Sequence, residues 1–215
     1  MATQLKTVET SDVNVVIPAP TFQTAAITIK STAPYVQNKF SHKALTQMQE
    51  TQKAGSKSNS KKTKTPKNLE ENYEAAMHIS TEGWCGQPAP AYRNALISAC
   101  KIVGFKMTHA KLSIFIEADG FDKDDRTPLV RITKGEPHMS ILPVRNATGV
   151  IDLRSRPMWD EWEVTLMIRW DSDQFSAEDI INLLSRAGTQ VGIGDGRPDS
   201  RKSAGMGWGL FEVST

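Results

Sequence analysis

The chain has 215 residues, 39% of them hydrophobic, with a formal net charge of +2 and a mean hydropathy of −0.39. That length holds one domain with insertions or tails, and the modest apolar content leaves part of the chain to solvent or to a partner. No apolar run approaches the ~18 residues of a membrane span, and the only apolar stretch before Pro20, Val13 to Ile17, lacks a basic leader, which argues against a secretory signal.

Residues 1–24 read as an extended N-terminal segment, with Pro18 and Pro20 marking a linker. A short strand is predicted over Ala25 to Lys30, with Ile27 and Ile29 on one face. Residues 31–67 then turn polar and lysine-rich. From Lys30 to Lys67 there are nine lysines and one acid, Glu50, a net of +8, while the rest of the chain carries −6. Charge gathered in one segment points to a polyanionic partner. Ala54 to Lys67 holds no large apolar residue and reads as mobile when free. Tyr35, Phe40, Leu45 and Met48, just before it, suit a short helix or hook.

A compact region begins near Asn68. Pro90 opens a predicted helix that carries Ala95, Leu96, Ala99, Cys100 and Val103 at helical spacing, and Gly104 closes it. Cys100 falls on the apolar face and reads as a buried thiol; two cysteines without a CxxC pair fit a reducing cytoplasm. Lys111 to Glu117 reads as a strand with Leu112, Ile114 and Ile116 inward. Residues 119–159 read as an insertion with its own hairpin, Leu129 to Thr133 and Met139 to Leu142 about Lys134-Gly135-Glu136-Pro137. The alternation from Glu161 to Trp170 predicts a strand with Trp162, Val164, Leu166, Ile168 and Trp170 on one face. Ser176 and Asp179 form a capping-box signature before Ile180, Ile181, Leu183, Leu184 and Ala187, and Gly188 ends that helix. Leu210 to Val213 is the last strand. The order strand, helix, strand, strand, helix, strand is that of an α+β, ferredoxin-like βαββαβ domain over residues 25–215.

The segment from Gln190 to Val213 is the most informative. Gly192, Gly194, Gly196, Gly205, Gly207 and Gly209 bracket Arg197, Arg201 and Lys202. Glycine permits close backbone approach and positive φ, and N–H groups beside guanidinium and ammonium groups favour a phosphate backbone. A glycine-rich loop between the second helix and the last strand of such a fold resembles the RAMP superfamily, and within it the RNA-coating backbone subunits of CRISPR effector complexes. The size is compatible with a phage or mobile-element relative. The resemblance implies an RRM-like domain with extra segments at 31–67, a thumb-like hairpin within 119–159, and head-to-tail polymerisation along a single-stranded, guide-type RNA. It implies too that the hairpin wedges between bases and leaves the others free to pair with a target.

Candidate backbone contacts in the lysine segment are Lys39, Lys43, Lys53, Lys57, Lys61, Lys62, Lys64 and Lys67, because each neutralised phosphate releases counterions. Arg93, near a helix start, is a further candidate. Lys101, Lys106, His109 and Lys111 make a second basic cluster. His138 and Met139 are expected at the hairpin tip as the base-spacing wedge. Trp208 is the best stacking candidate, and Trp162 and Trp170 read as core. The run Asp119 to Asp125 lacks EF-hand spacing and reads as a solvated turn. Gly192-Ile193-Gly194-Asp195-Gly196 does not lead into the helix a dinucleotide motif needs. The expectation is a cytoplasmic, non-catalytic RNA-binding protein with no cofactor, metal or membrane contact. The alternatives are a self-assembling virion-type protein and an RNA-processing nuclease of the same fold.

Overall fold

The computed structural model describes residues 17–40, 42–53, 68–145, 151–200 and 205–214. In chain order the elements are β1 (Phe22–Ser31), β2 (Tyr35–Val36), α1 (His42–Lys53), α2 (Leu69–Ala75), β3 (Gly86–Pro88), α3 (Ala89–Ile102), α4 (Met107–Ser113) and β4 (Ile114–Glu117). Then come β5 (Gly120–Phe121), β6 (Pro128–Lys134), β7 (His138–Arg145), β8 (Ile151–Trp159), β9 (Glu163–Asp171), α5 (Ala177–Arg186), a π-helical turn (Ala187–Val191) and β10 (Phe211–Val213). The class is α+β, with antiparallel sheets.

The strand with the strongest alternation is the centre of the main sheet. Trp162 precedes β9, and with Val164, Leu166, Ile168 and Trp170 it is buried; each such side chain contributes about 1.5–3 kcal/mol by leaving water. β1 flanks β9 along its whole length, from Phe22↔Asp171 to Lys30↔Glu163. The other flank is shared: β4 pairs at Ile114↔Trp170 and β6 at Ile132↔Val164. β10 adds to β1, and β3 and β5 add to β6. Ala95, Leu96, Ala99 and Cys100 of α3 and Ile180, Leu183 and Leu184 of α5 join the same core as β9. Pro90 lies in the first turn of α3, Gly104 follows its end at φ +74°, and the Ser176–Asp179 capping box starts α5.

A second sheet runs β2-β8-β7, an arrangement the sequence did not predict. β6 and β7 do not form a hairpin; Gly135, at φ +99° against the Glu161 carbonyl, carries the chain out of one sheet and into the other. The hairpin is β7–β8, whose second strand was missed because Ile151 to Trp159 mixes arginines and Pro157 with its apolar residues. His138 pairs with Met158 and Met139 with Pro157, so both lie at the base of the hairpin, away from its turn. The wedge expected of them is therefore in the wrong place. Lys111 to Ser113 belongs to α4 rather than to a strand, and Leu112 is exposed. Gly188 does not stop α5; it lets the π turn press against Phe211 of β10.

Candidate nucleic-acid interface

The glycine-rich segment folds into a loop stitched to β2. Asp195 N–H donates to Val36 O at 2.8 Å, Gly209 N–H to Pro34 O at 2.7 Å, and Ile193 N–H to Gly209 O at 3.0 Å. Gly194, at φ +77°, sits where a Cβ would come within 2.6 Å of the Tyr35 ring and Val36 O. Glycine is needed there for both backbone conformation and space. Met206 and Trp208 N–H groups both donate to Gly196 O, and the Trp208 ring lies over Gly196. Most N–H groups of this loop are thus consumed internally, so it is not the bare main-chain cradle its composition suggests. Among its described residues, the N–H groups of Gly194, Arg197 and Gly207 carry no hydrogen bond. Arg197 donates one Nη1 bond to Gly194 O at 3.0 Å, which leaves other donors of its fork to a ligand.

Connected concavities surround the loop. On one side a hollow of about 530 Å³ runs between α3 and the loop, with Asn94, Ser98, Lys111, Gly192 and Arg197 on its walls. A smaller cavity of about 260 Å³ shares Ala91, Gly194 and Arg197 with it and reaches inward to His78. On the other side a hollow of about 500 Å³ lies between the loop and the β7–β8 hairpin, bounded by Arg154, Arg156, Gly196, Gly205, Met206 and Trp208. Asn38 and Asp195 border both the small cavity and this third hollow. Lys111 and Arg197 thus line the first hollow and Arg154 and Arg156 the third, with Asp199 and Asp195 among them, and each hollow shares wall residues with the small cavity between.

Arg156 is only partly satisfied: its Nη1 donates to Ser155 O at 3.1 Å. Its Nε is buried without a hydrogen-bond partner, and the nearest carboxylate, that of Asp195, is 4.0 Å away. Burial pushes its pKa down, Asp195 opposes this, and the neighbouring Arg154 adds to it, for a lowered value overall. A guanidinium in that state gains from an added anion.

The lysine segment divides. Lys39 is buried: its Nζ lies 2.6 Å from Asp122 Oδ1 and 2.7 Å from Asp124 Oδ2. Because β2 draws this stretch into the core, Lys39 is an internal counter-ion and not a phosphate contact. Burial opposes its charge, but the hydrogen bonds and charges of Asp122 and Asp124 outweigh that and raise its pKa. Asp122, fully buried, also accepts from Asp124 N–H and meets His78 Nδ1 at 2.7 Å. Burial would push its carboxyl up; Lys39, the Asp124 N–H and His78 together hold it below the usual range. The acidic run is thus not simply a solvated turn. His78, Asp122 and Asp125 bring three possible ligand atoms within 4.8 Å, but the Lys39 ammonium already occupies Asp122, so the cluster is an ion-pair network. Nothing in the local sequence links His78 to Asp122; only the turn at Asp122, which caps its own backbone, was legible. Lys43 and Lys53 lie on α1, Lys53 exposed in its last turn. Lys57, Lys61, Lys62, Lys64, Lys67, Arg201 and Lys202 lie outside the described residues.

Arg93 is also committed elsewhere. Its Nε donates to Ile114 O at 2.9 Å, its Nη2 to Lys111 O, and its guanidinium covers the Phe115 ring at 5.1 Å. It ties α3 to β4 rather than facing a ligand. His138 Nδ1 is 3.6 Å from Asp160 at the base of the hairpin. Trp208 is half-buried, anchoring the loop while still lining the third hollow. Among the described residues no helix is long and apolar enough to cross a membrane. No known protein-family model and no curated protein matches this sequence.

Proposed function

We propose that the chain is a single-stranded RNA-binding subunit of the RAMP type, a binding protein rather than an enzyme, working in the cytoplasm. The carrying observation is the run of hollows about the glycine-rich loop, with Lys111 and Arg197 in one, Arg154, Arg156 and Trp208 in another, and a small cavity that shares walls with both. Spaced cations along a groove with one aromatic surface suit a sugar–phosphate strand read without base specificity. The strand order β10-β1-β9-β4, with α3 leading towards β4 and α5 joining β9 to β10, supports a ferredoxin-like core. Head-to-tail assembly is supported by one face of the β7–β8 hairpin, where Ile141 and its neighbours Leu153 and Ile151 stand exposed. Such a patch fits a heterologous contact with another copy. Specificity would come from pairing of the bound strand.

Fluorescence anisotropy with a short single-stranded RNA over a salt series tests this reading. The wild-type chain should bind with log K falling linearly in log salt, and Lys111→Ala should weaken binding and lessen the slope by about 1. Substituting Lys57, Lys61, Lys62 and Lys64 together should flatten it further. An affinity that is absent, or indifferent to salt, refutes the reading.

A further inference from the structure

The small cavity between His78 and Arg197 has a chemistry of its own. His78 is 7% exposed. Its Nδ1 is fixed by Asp122 at 2.7 Å, and its backbone N–H donates to Gln37 Oε1 at 2.8 Å. Its other ring nitrogen, Nε2, has no hydrogen bond among the described residues, and the side chain forms part of the cavity wall. Nε2 is not among the fully buried side-chain atoms that lack a partner, which leaves it reachable from the cavity.

Three further features select an anion as the partner of Nε2. The cavity wall includes Ala91, in the first turn of the 14-residue helix α3, and α3 has no side-chain cap because Pro88 occupies the cap position. Uncapped N–H groups and the positive end of the helix dipole favour negative charge. Gly194, with its unpaired N–H, and Arg197, with unused guanidinium donors, form the facing wall. Asp195 also borders the cavity. Its Oδ1 accepts from Gly196 N–H at 3.1 Å, and its Oδ2 stands 4.0 Å from Arg156, so an anion in the cavity shares its wall with one partly paired carboxylate. Behind His78, the carboxylates of Asp122 and Asp124 are neutralised in part by Lys39. With about 260 Å³ the cavity is smaller than the roughly 300–1,000 Å³ of sites for drug-sized ligands.

We propose that the cavity enclosed by His78, Arg197, Gly194 and the first turn of α3 is a phosphate-binding subsite. His78 Nε2 and the Arg197 guanidinium grip the oxyanion from opposite walls, and the helix terminus supplies the third side. With Nδ1 held by the Asp122 carboxylate, Nε2 is the ring atom left to meet the oxyanion. The subsite shares walls with the hollows assigned above to RNA, and it rests on that reading for the source of its ligand: an internal phosphodiester or the 5′-terminal phosphate of the strand.

The test has two arms on the full-length chain. In the first, inorganic phosphate is titrated at constant ionic strength while the ¹⁵N-labelled imidazole signals are followed by NMR, His78 being assigned by its loss in His78→Gln. A saturable shift of the His78 Nε2 signal is expected, and Arg197→Gln, which leaves the His78–Asp122 pair intact, should weaken it at least tenfold. A shift that grows linearly without saturation, or is unchanged in Arg197→Gln, overturns the proposal. In the second arm, 5′-phosphorylated and 5′-hydroxyl RNAs of equal length are compared by anisotropy. Wild-type preference for the phosphorylated strand, lost in Arg197→Gln, identifies the terminal phosphate. An equal loss of affinity for both strands identifies an internal one. RNA binding that neither substitution alters refutes the subsite and spares the RNA reading, whereas saturable phosphate binding without RNA binding spares the subsite and refutes that reading.

Discussion

Lys39 and Arg197 are both cations expected to touch phosphate, and the fold treats them oppositely. Lys39 comes from the most basic part of the sequence, yet it is enclosed with two carboxylates and spends its charge inside the protein. Arg197 comes from a loop of unremarkable net charge, yet it borders two of the cavities on the surface. Charge density along a sequence therefore does not tell which cations reach the surface. What matters is whether the backbone beside the cation is drawn into a sheet, as at Tyr35–Val36, or held out by positive-φ glycines, as at Gly192 to Gly196.

The sharpest way to break this contrast is to remove the buried cation. Lys39→Met takes the ammonium from the enclosed Asp122, leaving it only His78 and the Asp124 and Asp125 N–H groups, and should lower unfolding free energy by about 3–5 kcal/mol, measured by urea denaturation. A loss under ~1 kcal/mol, the size of an exposed pair, would place Lys39 back among the surface lysines. The pH profile sharpens the same point. Asp122 has a depressed pKa in the fold, so its stabilising contribution is present above its ordinary value of 3.8 and disappears as pH falls through the folded value. Lys39 has a raised pKa, so its contribution is complete below 10.5 and is lost as pH rises through the folded value. Stability should fall at both extremes, and Lys39→Met should remove the alkaline limb.

On the other side of the contrast, Gly194→Ala forces an L-residue to φ +77° against Tyr35 and Val36. It should cost of order 1–3 kcal/mol in thermal denaturation and reduce RNA affinity, because Arg197 is hydrogen-bonded to that same residue. Unchanged affinity would separate loop geometry from binding. The smallest effect is expected at Arg169, which lies 4.8 Å from the ring centroids of both Phe22 and Phe115 on the outer face of the main sheet. Arg169→Ala should cost about 0.5–1 kcal/mol in stability and leave RNA affinity unchanged; a large loss of affinity would move the interface onto the sheet.

Much of the core was legible because it depends on local periodicity. The alternation through Trp170, the Ser176 cap and the first-turn Pro90 each specify an element from a few neighbouring residues. Of the second sheet only Met139 to Leu142, within β7, was legible, and its pairing was not. Its strands are short or interrupted by proline, and its pairing of Tyr35 with Trp159 spans most of the chain. The site was half visible for the same reason. Glycines around Arg197 announce a special backbone, but Arg156 and His78 gain their meaning only from burial and from partners far away in sequence. Arg93 shows the converse: a position near a helix start looked available, and the carbonyls that occupy it come from another element.

The backbone hydrogen bond from Lys39 N–H to Ala76 O, 3.0 Å long, brings the two feet of residues 40–75 together. A detour that leaves and re-enters at one point can lengthen or shorten between its feet at an entropic cost that grows only with the logarithm of its length. Lysines can therefore be added or removed by changing the length of the connection between α1 and α2, while α2 stays tied to β8 by the hydrogen bond from Ser155 Oγ to Leu69 O. On the RNA reading, affinity for the strand backbone is set separately from the scaffold.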